Sequence, residues 1–348
     1  MLERFGKSYE DIMSLKTAFF EENDQLLARA LRYSARYSSQ PLRRACKICL
    51  SELPEKPVFS KHGASYAVCR TCGQLNGRHE DTDEYCRDIY TASGAVDYAR
   101  NYTSADRAAY RLRRDRIYVP KAEFLFDVLA HEGQIPAQLS YADMGAGAGY
   151  FVDALVAKGA RKAVGFEVGK PQVDLGNAMS GETRIQLIDL PDTPRLCREY
   201  ACDVMTFIGV FEHLQDPRAV LAAIRENKAV KYIYFCVPMY APTTFIEMSF
   251  PKVFPRQLAI GHTHLFTDSS IQYLEKEFGL ERVGAWWFGT DMMDFFRSIQ
   301  ITLGQSESTA QMVEDWRTLF AGLIDSTQLA IDRERKSCQV HAVFKVCR

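Results

Sequence analysis

The chain has 348 residues, of which 47% are hydrophobic, and a formal net charge of −1 at pH 7. This length holds one large or two moderate domains, and the near-neutral charge argues against a bulk nucleic-acid binder. No apolar run approaches the ~18 residues of a membrane span, and the N-terminus has no apolar signal-peptide core. Ten cysteines without a secretion signal predict a reducing, cytoplasmic location.

Residues 1–41 form the first predicted unit. Apolar residues such as Ile12, Leu15, Phe19 and Leu26 recur at near-helical spacing, which predicts a helical segment. Both packing on a core and docking of a partner are open roles for it.

Four cysteines in residues 42–80 form two C-x2-C pairs, Cys46 with Cys49 and Cys69 with Cys72. This spacing predicts a small zinc-ribbon module, because four thiolates complete a closed tetrahedron around one zinc ion. With no open position, the ion would be structural. Unligated buried cysteines and a redox pair are the alternatives, and a thioredoxin-like redox pair lacks its βαβ context here.

Residues 81–137 are predicted to be a tyrosine-containing linker or lid that turns helical from Ser104 through Phe126. A basic run lies within it, formed by Arg111, Arg113, Arg114 and Arg116. This run is either a solvated helix face or a contact for a nucleotide-sugar diphosphate.

Residues 141–149, Tyr-Ala-Asp-Met-Gly-Ala-Gly-Ala-Gly, are the most informative stretch of the chain. A short apolar strand (residues 139–144) ends here, and a helical pattern starts at Tyr150. Glycines at such a turn let a ligand approach the backbone, and the helix N-terminus attracts anionic groups. The spacing is D-x-G-x-G-x-G rather than the G-x-G-x-x-G of dinucleotide-binding folds.

This pattern resembles motif I of class I methyltransferases, which use S-adenosylmethionine (SAM). The resemblance implies that Asp143 approaches the ammonium group of the cofactor. It also implies that the loop wraps the methionine end of SAM through Gly145, Ala146, Gly147 and Gly149.

Three further strands follow the motif in the order that this family uses. Residues 163–167 end in Glu167, whose carboxylate can accept both hydroxyls of a ribose. Residues 185–189 end in Asp189, which resembles the adenine-edge position of the family. Residues 203–214 resemble the fourth-strand signature, an apolar run leading into Glu212-His213-Leu214.

The predicted fold is therefore α/β, a Rossmann-like seven-stranded methyltransferase sheet that is mostly parallel with an antiparallel last strand. Helices cover both faces, and the core spans residues 138–348 with insertions at 239–267 and 290–336. The last strands are predicted at 280–288 and 339–346.

A zinc module placed before such a core resembles bacterial sugar C-methyltransferases and related polysaccharide-pathway enzymes, over roughly residues 42–289. The resemblance implies that Tyr98 and Tyr102 contact the cofactor or acceptor, with plain packing as the alternative. Those enzymes carry a His-Glu-His-type cluster after the fourth strand. Here the matching place reads Phe211-Glu212-His213, so methylation at carbon, oxygen or nitrogen stays open.

Histidines are the first residues to consider as the catalytic base, because their pKa lies near neutrality. His213, beside Glu212, follows the fourth strand at the edge where ligands bind, although it could instead order the loop. His262 and His264, at i and i+2 in an extended segment, should point the same way. They are candidates for acceptor contact, for catalysis or for a structural loop. A metal-binding pair would lack nearby carboxylate or thiol partners in the sequence.

The sequence thus predicts a SAM-dependent methyltransferase with one structural Zn²⁺, acting on a small sugar-like or nucleotide-sugar acceptor. A zinc-module RNA methyltransferase, a methyltransferase of another small-molecule pathway and a non-catalytic SAM-binding protein are the alternatives. The near-neutral charge argues against the RNA enzyme. The sequence assigns no oligomeric state.

Overall fold

A computed structural model of the chain describes residues 1–13, 15, 17–91, 106–258 and 261–348. Across these ranges the backbone forms an eight-stranded sheet, a four-stranded sheet and helices packed around them. None of the helices in the described ranges combines the length and the apolar character needed to cross a membrane.

The N-terminal segment begins with a strand rather than with a helix. Strand β1 (Leu2–Phe5) is followed by α1 (Tyr9–Met13), α2 (Ala18–Glu21) and α3 (Asn23–Ser38). β1 pairs in parallel with a strand late in the chain, Leu2 lying opposite Gly284. The helical prediction for residues 1–41 is wrong at these positions, because four residues are too few to reveal an alternating pattern.

The cysteine-containing region folds into a small antiparallel meander. Strands β2 (Phe59–Lys61), β3 (Ala64–Val68) and β4 (Leu75–Gly77) pair in sequence order, and helix α4 (Asp83–Tyr90) follows. Thr82 caps this helix, its hydroxyl accepting a hydrogen bond from the Tyr85 amide.

Two helices then lead into the core through a π-helical turn. Helix α5 (Arg107–Arg113) runs into the turn Arg114–Tyr118 and on into α6 (Val119–His131). Pro120 sits in the first turn of α6, where its missing N–H disrupts the regular hydrogen-bond ladder. The wider π register absorbs that disruption without ending the helix.

The core alternates strands and helices as predicted. In order, it contains β5 (Ser140–Met144), α7 (Tyr150–Ala157), β6 (Lys162–Glu167), α8 (Lys170–Ser180), β7 (Ile185–Leu187), α9 (Thr193–Glu199), β8 (Val204–Ile208), α10 (Pro217–Glu226) and β9 (Tyr232–Pro238). The remainder contains α11 (Pro242–Ser249), β10 (His264–Leu265), α12 (Asp268–Phe278), β11 (Leu280–Trp287), α13 (Asp291–Gly304), α14 (Met312–Phe320), α15 (Ile324–Arg333) and β12 (Gln339–Val346).

The large sheet has the order β1-β11-β12-β9-β8-β5-β6-β7 within the described residues. β12 runs antiparallel to both of its neighbours, and the other pairs are parallel. The mostly parallel α/β fold with an antiparallel last strand is therefore confirmed. The predicted count of seven strands is wrong, because β1 adds an eighth at the edge.

The strand order reverses between β5 and β8, at the centre of the large sheet. Successive strands leave β5 in one direction through β6 and β7, and the chain then crosses to β8 and β9. Crevices at such a reversal, outside the carboxyl ends of the strands, are where open α/β sheets bind ligands.

The small sheet takes one strand from the core. β10 pairs with β4, His264 lying opposite Asn76, and the Gly77 amide donates to the Thr263 carbonyl at 2.7 Å. The insertion predicted at 239–267 therefore ties the cysteine-containing region to the large sheet.

Candidate active site

A cavity of about 490 Å³ opens at the carboxyl ends of β5, β6 and β8. Segments from early and late in the sequence contribute to its wall, Lys7 and Ile12 after β1, and Cys338 and Gln339 at the start of β12. Loops that follow the parallel strands form much of the remaining wall, and helices α4, α5 and α6 add further side chains. The cavity therefore lies at the reversal point of the sheet.

The glycine loop between β5 and α7 forms one wall of this cavity. Gly145, Gly147 and Gly149 all have positive φ, at 67°, 53° and 75°. A Cβ at Gly145 would lie 2.6 Å from Cγ2 of Val210, whereas a Cβ at Gly147 would meet no atom within 4 Å. The loop therefore packs tightly behind Gly145 and leaves open cavity in front of Gly147, a cradle that a side chain would fill.

Two buried carboxylates flank the loop. Asp143 accepts a hydrogen bond from the Thr206 hydroxyl at 2.6 Å, and burial raises the pKa of Asp143 to about 7. Glu167 accepts from the Gly147 amide at 2.7 Å and from two amides of its own turn. Burial raises the pKa of Glu167, and these amide donors oppose the rise. Each carboxylate oxygen has lone pairs left for a ligand.

The chain that follows β7 presents apolar rather than acidic side chains to the cavity. Ile188 and Leu190 line it, while the side chain between them, Asp189, is exposed. Side chains in extended backbone alternate in direction, which turns Asp189 away when its neighbours point inward. Its predicted role at the adenine edge stays a prediction without a cavity contact.

Three titratable side chains meet at the other end of the cavity. Oε1 of Glu212 lies 3.8 Å from Nε2 of His213 and 3.9 Å from Nε2 of His262. Glu212 and His213 belong to the 3-10 turn Phe211–His213 after β8, and His262 belongs to the loop before β10. No carboxylate lies close to His262 in the sequence, but the fold brings Glu212 beside it from the turn after β8.

The far side of each imidazole is held by backbone carbonyls. Nδ1 of His213 lies 3.0 Å from the Gly261 carbonyl, and Nδ1 of His262 lies 3.0 Å from the Gln257 carbonyl. Carbonyl oxygens only accept, so each Nδ1 carries the proton and each Nε2 presents a lone pair toward Glu212. The Tyr90 hydroxyl is also 3.0 Å from Nδ1 of His213.

Burial keeps these groups uncharged. It lowers the pKa of His213 to about 3, with proximity to His262 as a second cause, and lowers the pKa of His262 to about 4. Burial also raises the pKa of Glu212 to about 8, against the opposing field of Lys121. Both imidazoles are therefore neutral near pH 7.

Comparison with known protein families decides the class of protein. The sequence matches the family model described as a methyltransferase domain over residues 110–284, about half of the chain. The chain belongs to this methyltransferase family. It is a SAM-dependent methyltransferase, and the matched residues include the glycine loop and β5 to β9.

Solved methyltransferases are among its structural neighbours. Magnesium protoporphyrin IX methyltransferase from Synechocystis PCC 6803, with bound SAH, is 15% identical, with 58% of this chain and 90% of that chain covered and a TM-score of 0.43. Plantazolicin methyltransferase BpumL, in complex with SAH and a pentazolic desmethylPZN analog, is 13% identical, with coverages of 76% and 95% and a TM-score of 0.46. Coclaurine N-methyltransferase, bound to N-methylheliamine and SAH, is 16% identical, with coverages of 64% and 72% and a TM-score of 0.38. Comparison with curated proteins gave no match.

The four predicted metal ligands of the methyltransferase come together in one buried cluster. Sγ of Cys46 lies 3.6 Å from Sγ of Cys72, and Sγ of Cys49 lies 3.4 Å from Sγ of Cys69. A tetrahedron with Zn–S bonds of about 2.3 Å places its sulfurs about 3.8 Å apart. The Ile48 amide points at Sγ of Cys46 from 3.4 Å, which favours a thiolate there. The donor set therefore fits a zinc ion.

The structure separates the two predicted loop histidines of the methyltransferase. His262 lines the cavity, but His264 is 1% exposed, lies in β10 and is absent from the cavity wall. The expectation that both point the same way is wrong, because His262 precedes the strand and only His264 has extended pairing. His264 therefore makes no contact with the cavity, and its catalytic role stays a prediction.

The predicted basic run also divides into residues that line the cavity and residues that are exposed. Arg113 lines the cavity over the Tyr150 ring at 5.6 Å, whereas Arg111 and Arg116 are exposed. Tyr98 and Tyr102 lie outside the described residues.

Sequence reasoning missed Tyr90, Lys121 and Arg256, which all line the cavity. Tyr90 ends a capped helix close to the tyrosine-containing stretch, and this proximity was the available signal. Lys121 and Arg256 lie in apolar contexts that gave no signal of their own.

Proposed function

We propose that the chain transfers a methyl group from SAM to a small sugar-like or nucleotide-sugar acceptor. One observation carries the proposal: the polar cluster of Glu212, His213 and His262 shares a single cavity with the glycine loop. Gln257 and Gln339 line the same cavity and add hydrogen-bonding side chains suited to an acceptor with several hydroxyls.

The cofactor would occupy the end of the cavity beside the glycine loop. Asp143 would accept a hydrogen bond from the ammonium group of the cofactor, and Glu167 would accept hydrogen bonds from its ribose hydroxyls. The space in front of Gly147 would admit the part of the cofactor that lies against the backbone of the loop. Gly145, Ala146 and Gly149 would shape the loop around it. SAM, when bound, supplies the activated methyl group.

The acceptor would lie against the cluster at the other end. Glu212, His213 and His262 would hold its reacting group in line with the methyl carbon, which is the main requirement of such a displacement. The proton of a hydroxyl acceptor would pass to this cluster at Nε2 of a histidine, because the raised pKa of Glu212 keeps its carboxyl group protonated near pH 7.

We also propose that Cys46, Cys49, Cys69 and Cys72 hold one structural zinc ion. The cysteines offer four sulfurs and leave no place for a substrate, so the ion would stabilise the small sheet. A cytoplasmic location belongs to the same proposal, because free thiols such as those of this chain persist in reducing compartments.

Binding of S-adenosylhomocysteine (SAH), which keeps the ammonium group, is expected to weaken as the pH falls. The pKa of Asp143 is raised to about 7 by burial, so the carboxylate is progressively protonated below that value and loses its charge-assisted bond. Calorimetric titration should show about a tenfold loss of affinity between about pH 8 and about pH 6. Asp143→Asn should bind weakly with no slope over this range; a slope equal to that of the unmodified protein would exclude Asp143 as its source.

Calorimetry also tests the acceptor class. The SAH complex should bind at least one nucleotide sugar of a panel, and His262→Gln should weaken that binding by about tenfold or more while leaving SAH affinity unchanged. His131→Gln, on an exposed helix end, is the matched control and should change neither affinity.

Two results would contradict parts of this proposal. SAH binding without response to any sugar would remove the sugar class and send the search to other small molecules or to RNA. Absence of SAH binding in folded protein would remove the assigned cofactor residues.

A further inference from the structure

Glu212, His213 and His262 bring three atoms with lone pairs to one end of the cavity. Both histidines keep their proton on Nδ1, where backbone carbonyls receive it, so both Nε2 atoms present lone pairs toward Oε1 of Glu212. The separations of 3.8 and 3.9 Å leave space between these atoms. A metal ion in that space could accept a lone pair from each residue.

We propose that Oε1 of Glu212 and Nε2 of His213 and His262 bind a first-row divalent metal ion at the acceptor end of the cavity. One ligand atom from each of the three residues lies within 4.8 Å of the ligand atoms of the other two. A contraction of this cluster around an ion would give the ~2.0–2.2 Å bonds that such ions form with nitrogen and oxygen.

The surroundings of the ligands support a metal site independently of these distances. Oε2 of Glu212 is buried and has no hydrogen-bond partner within the described part of the chain, so half of this carboxylate still needs a partner. The Nδ1–H to carbonyl bonds of both histidines fix the ring orientation and tautomer that metal-ligating imidazoles need. The two rings stack with centroids 5.1 Å apart, so the two histidines lie side by side.

Two nitrogens and one carboxylate oxygen are the donor set of open metal sites. Three protein ligands leave at least one coordination position, and all three residues line the cavity, so that position faces the space for the acceptor. This role rests on the proposed function and, with the ion bound, replaces proton transfer to the ligand atoms themselves: the ion would bind an acceptor hydroxyl and lower its pKa, and the proton would leave to solvent. Binding of the ion itself requires only the three ligands.

The test is titration of the protein, purified with its zinc, with Co²⁺. Co²⁺ at this site should give weak visible bands without the strong near-ultraviolet absorption of thiolate ligands, and about one ion should bind beyond the cysteine cluster. Glu212→Gln and His262→Gln, which alter two different segments, should each weaken Co²⁺ binding by about tenfold or more. His131→Gln should bind Co²⁺ as the unmodified protein does.

SAH titration of the same samples identifies folded variants and separates the two proposals. Absence of Co²⁺ uptake beyond the cysteine cluster, or equal uptake by both folded ligand variants, overturns the metal site while SAH and sugar binding keep the proposed function. Co²⁺ uptake with no SAH binding in the unmodified protein supports the site and overturns the proposed function.

Discussion

Cys46→Ser is expected to lose the bound zinc and to lower the melting temperature of the protein by roughly 10 °C. Cys46 is fully buried, and its sulfur contacts Sγ of Cys72 and accepts a hydrogen bond from the Ile48 amide. A serine hydroxyl in its place leaves only three thiolate ligands, and the fourth coordination position of the zinc ion loses its sulfur. Structural zinc contributes about 10–16 kcal/mol of apparent binding free energy in isolated modules, and here part of that free energy stabilises the fold. Metal analysis and thermal unfolding measure the two effects.

Cys197→Ser is the matched control for this experiment. Cys197 is equally buried but is not one of the four clustered thiols, so its replacement should lower stability while zinc content stays at about one ion per chain. Full zinc content in Cys46→Ser would show that the cluster is a group of packed thiols.

Gly145→Ala is expected to abolish measurable SAH binding. The residue has a φ of +67°, and an added Cβ would lie 2.6 and 2.9 Å from the two methyl groups of Val210. Val210 stands next to the turn that carries Glu212, so relief of the clash must move the glycine loop, the turn Phe211–His213 or both. A loss of about a hundredfold or more in affinity, measured by calorimetry, is the expected size.

Gly133→Ala is the control that distinguishes the steric clash at Gly145 from the cost of placing alanine at a positive φ. Gly133 has a φ of +74°, and a Cβ there would meet no atom within 4 Å. Its replacement should cost about 1 kcal/mol in unfolding free energy and leave SAH affinity intact. Normal SAH binding by Gly145→Ala would mean that the loop tolerates displacement and does not define the cofactor site.

Features confined to one short segment were predictable from the sequence. The strand, glycine turn and helix around Gly145 follow from local pattern, and the predicted last strand matches β12 (Gln339–Val346). The two C-x2-C pairs also led directly to a cluster that the fold assembles. In each case the residues that decide the structure are close in sequence or carry a fixed spacing.

Features that depend on contacts between distant segments were not predictable. The pairing of β1 with β11, the approach of Tyr90 to His213 and the approach of Glu212 to His262 each join residues far apart in the chain. His264 illustrates the same limit, since pairing with β4 rather than its own neighbours decides its direction. Local periodicity contains no information about such partners.

The position of β1 has a consequence for biosynthesis. The strand is translated long before its hydrogen-bonding partner β11, since Leu2 pairs with Gly284. Contacts of such long sequence separation form slowly, because the entropy of closing the intervening loop opposes them. Lys7 and Ile12 reach the cavity wall just beyond this strand, so a nascent chain cannot complete its ligand pocket before β11 is available. Retention on immobilised SAH would therefore select molecules in which β11 is present and paired over shorter nascent chains.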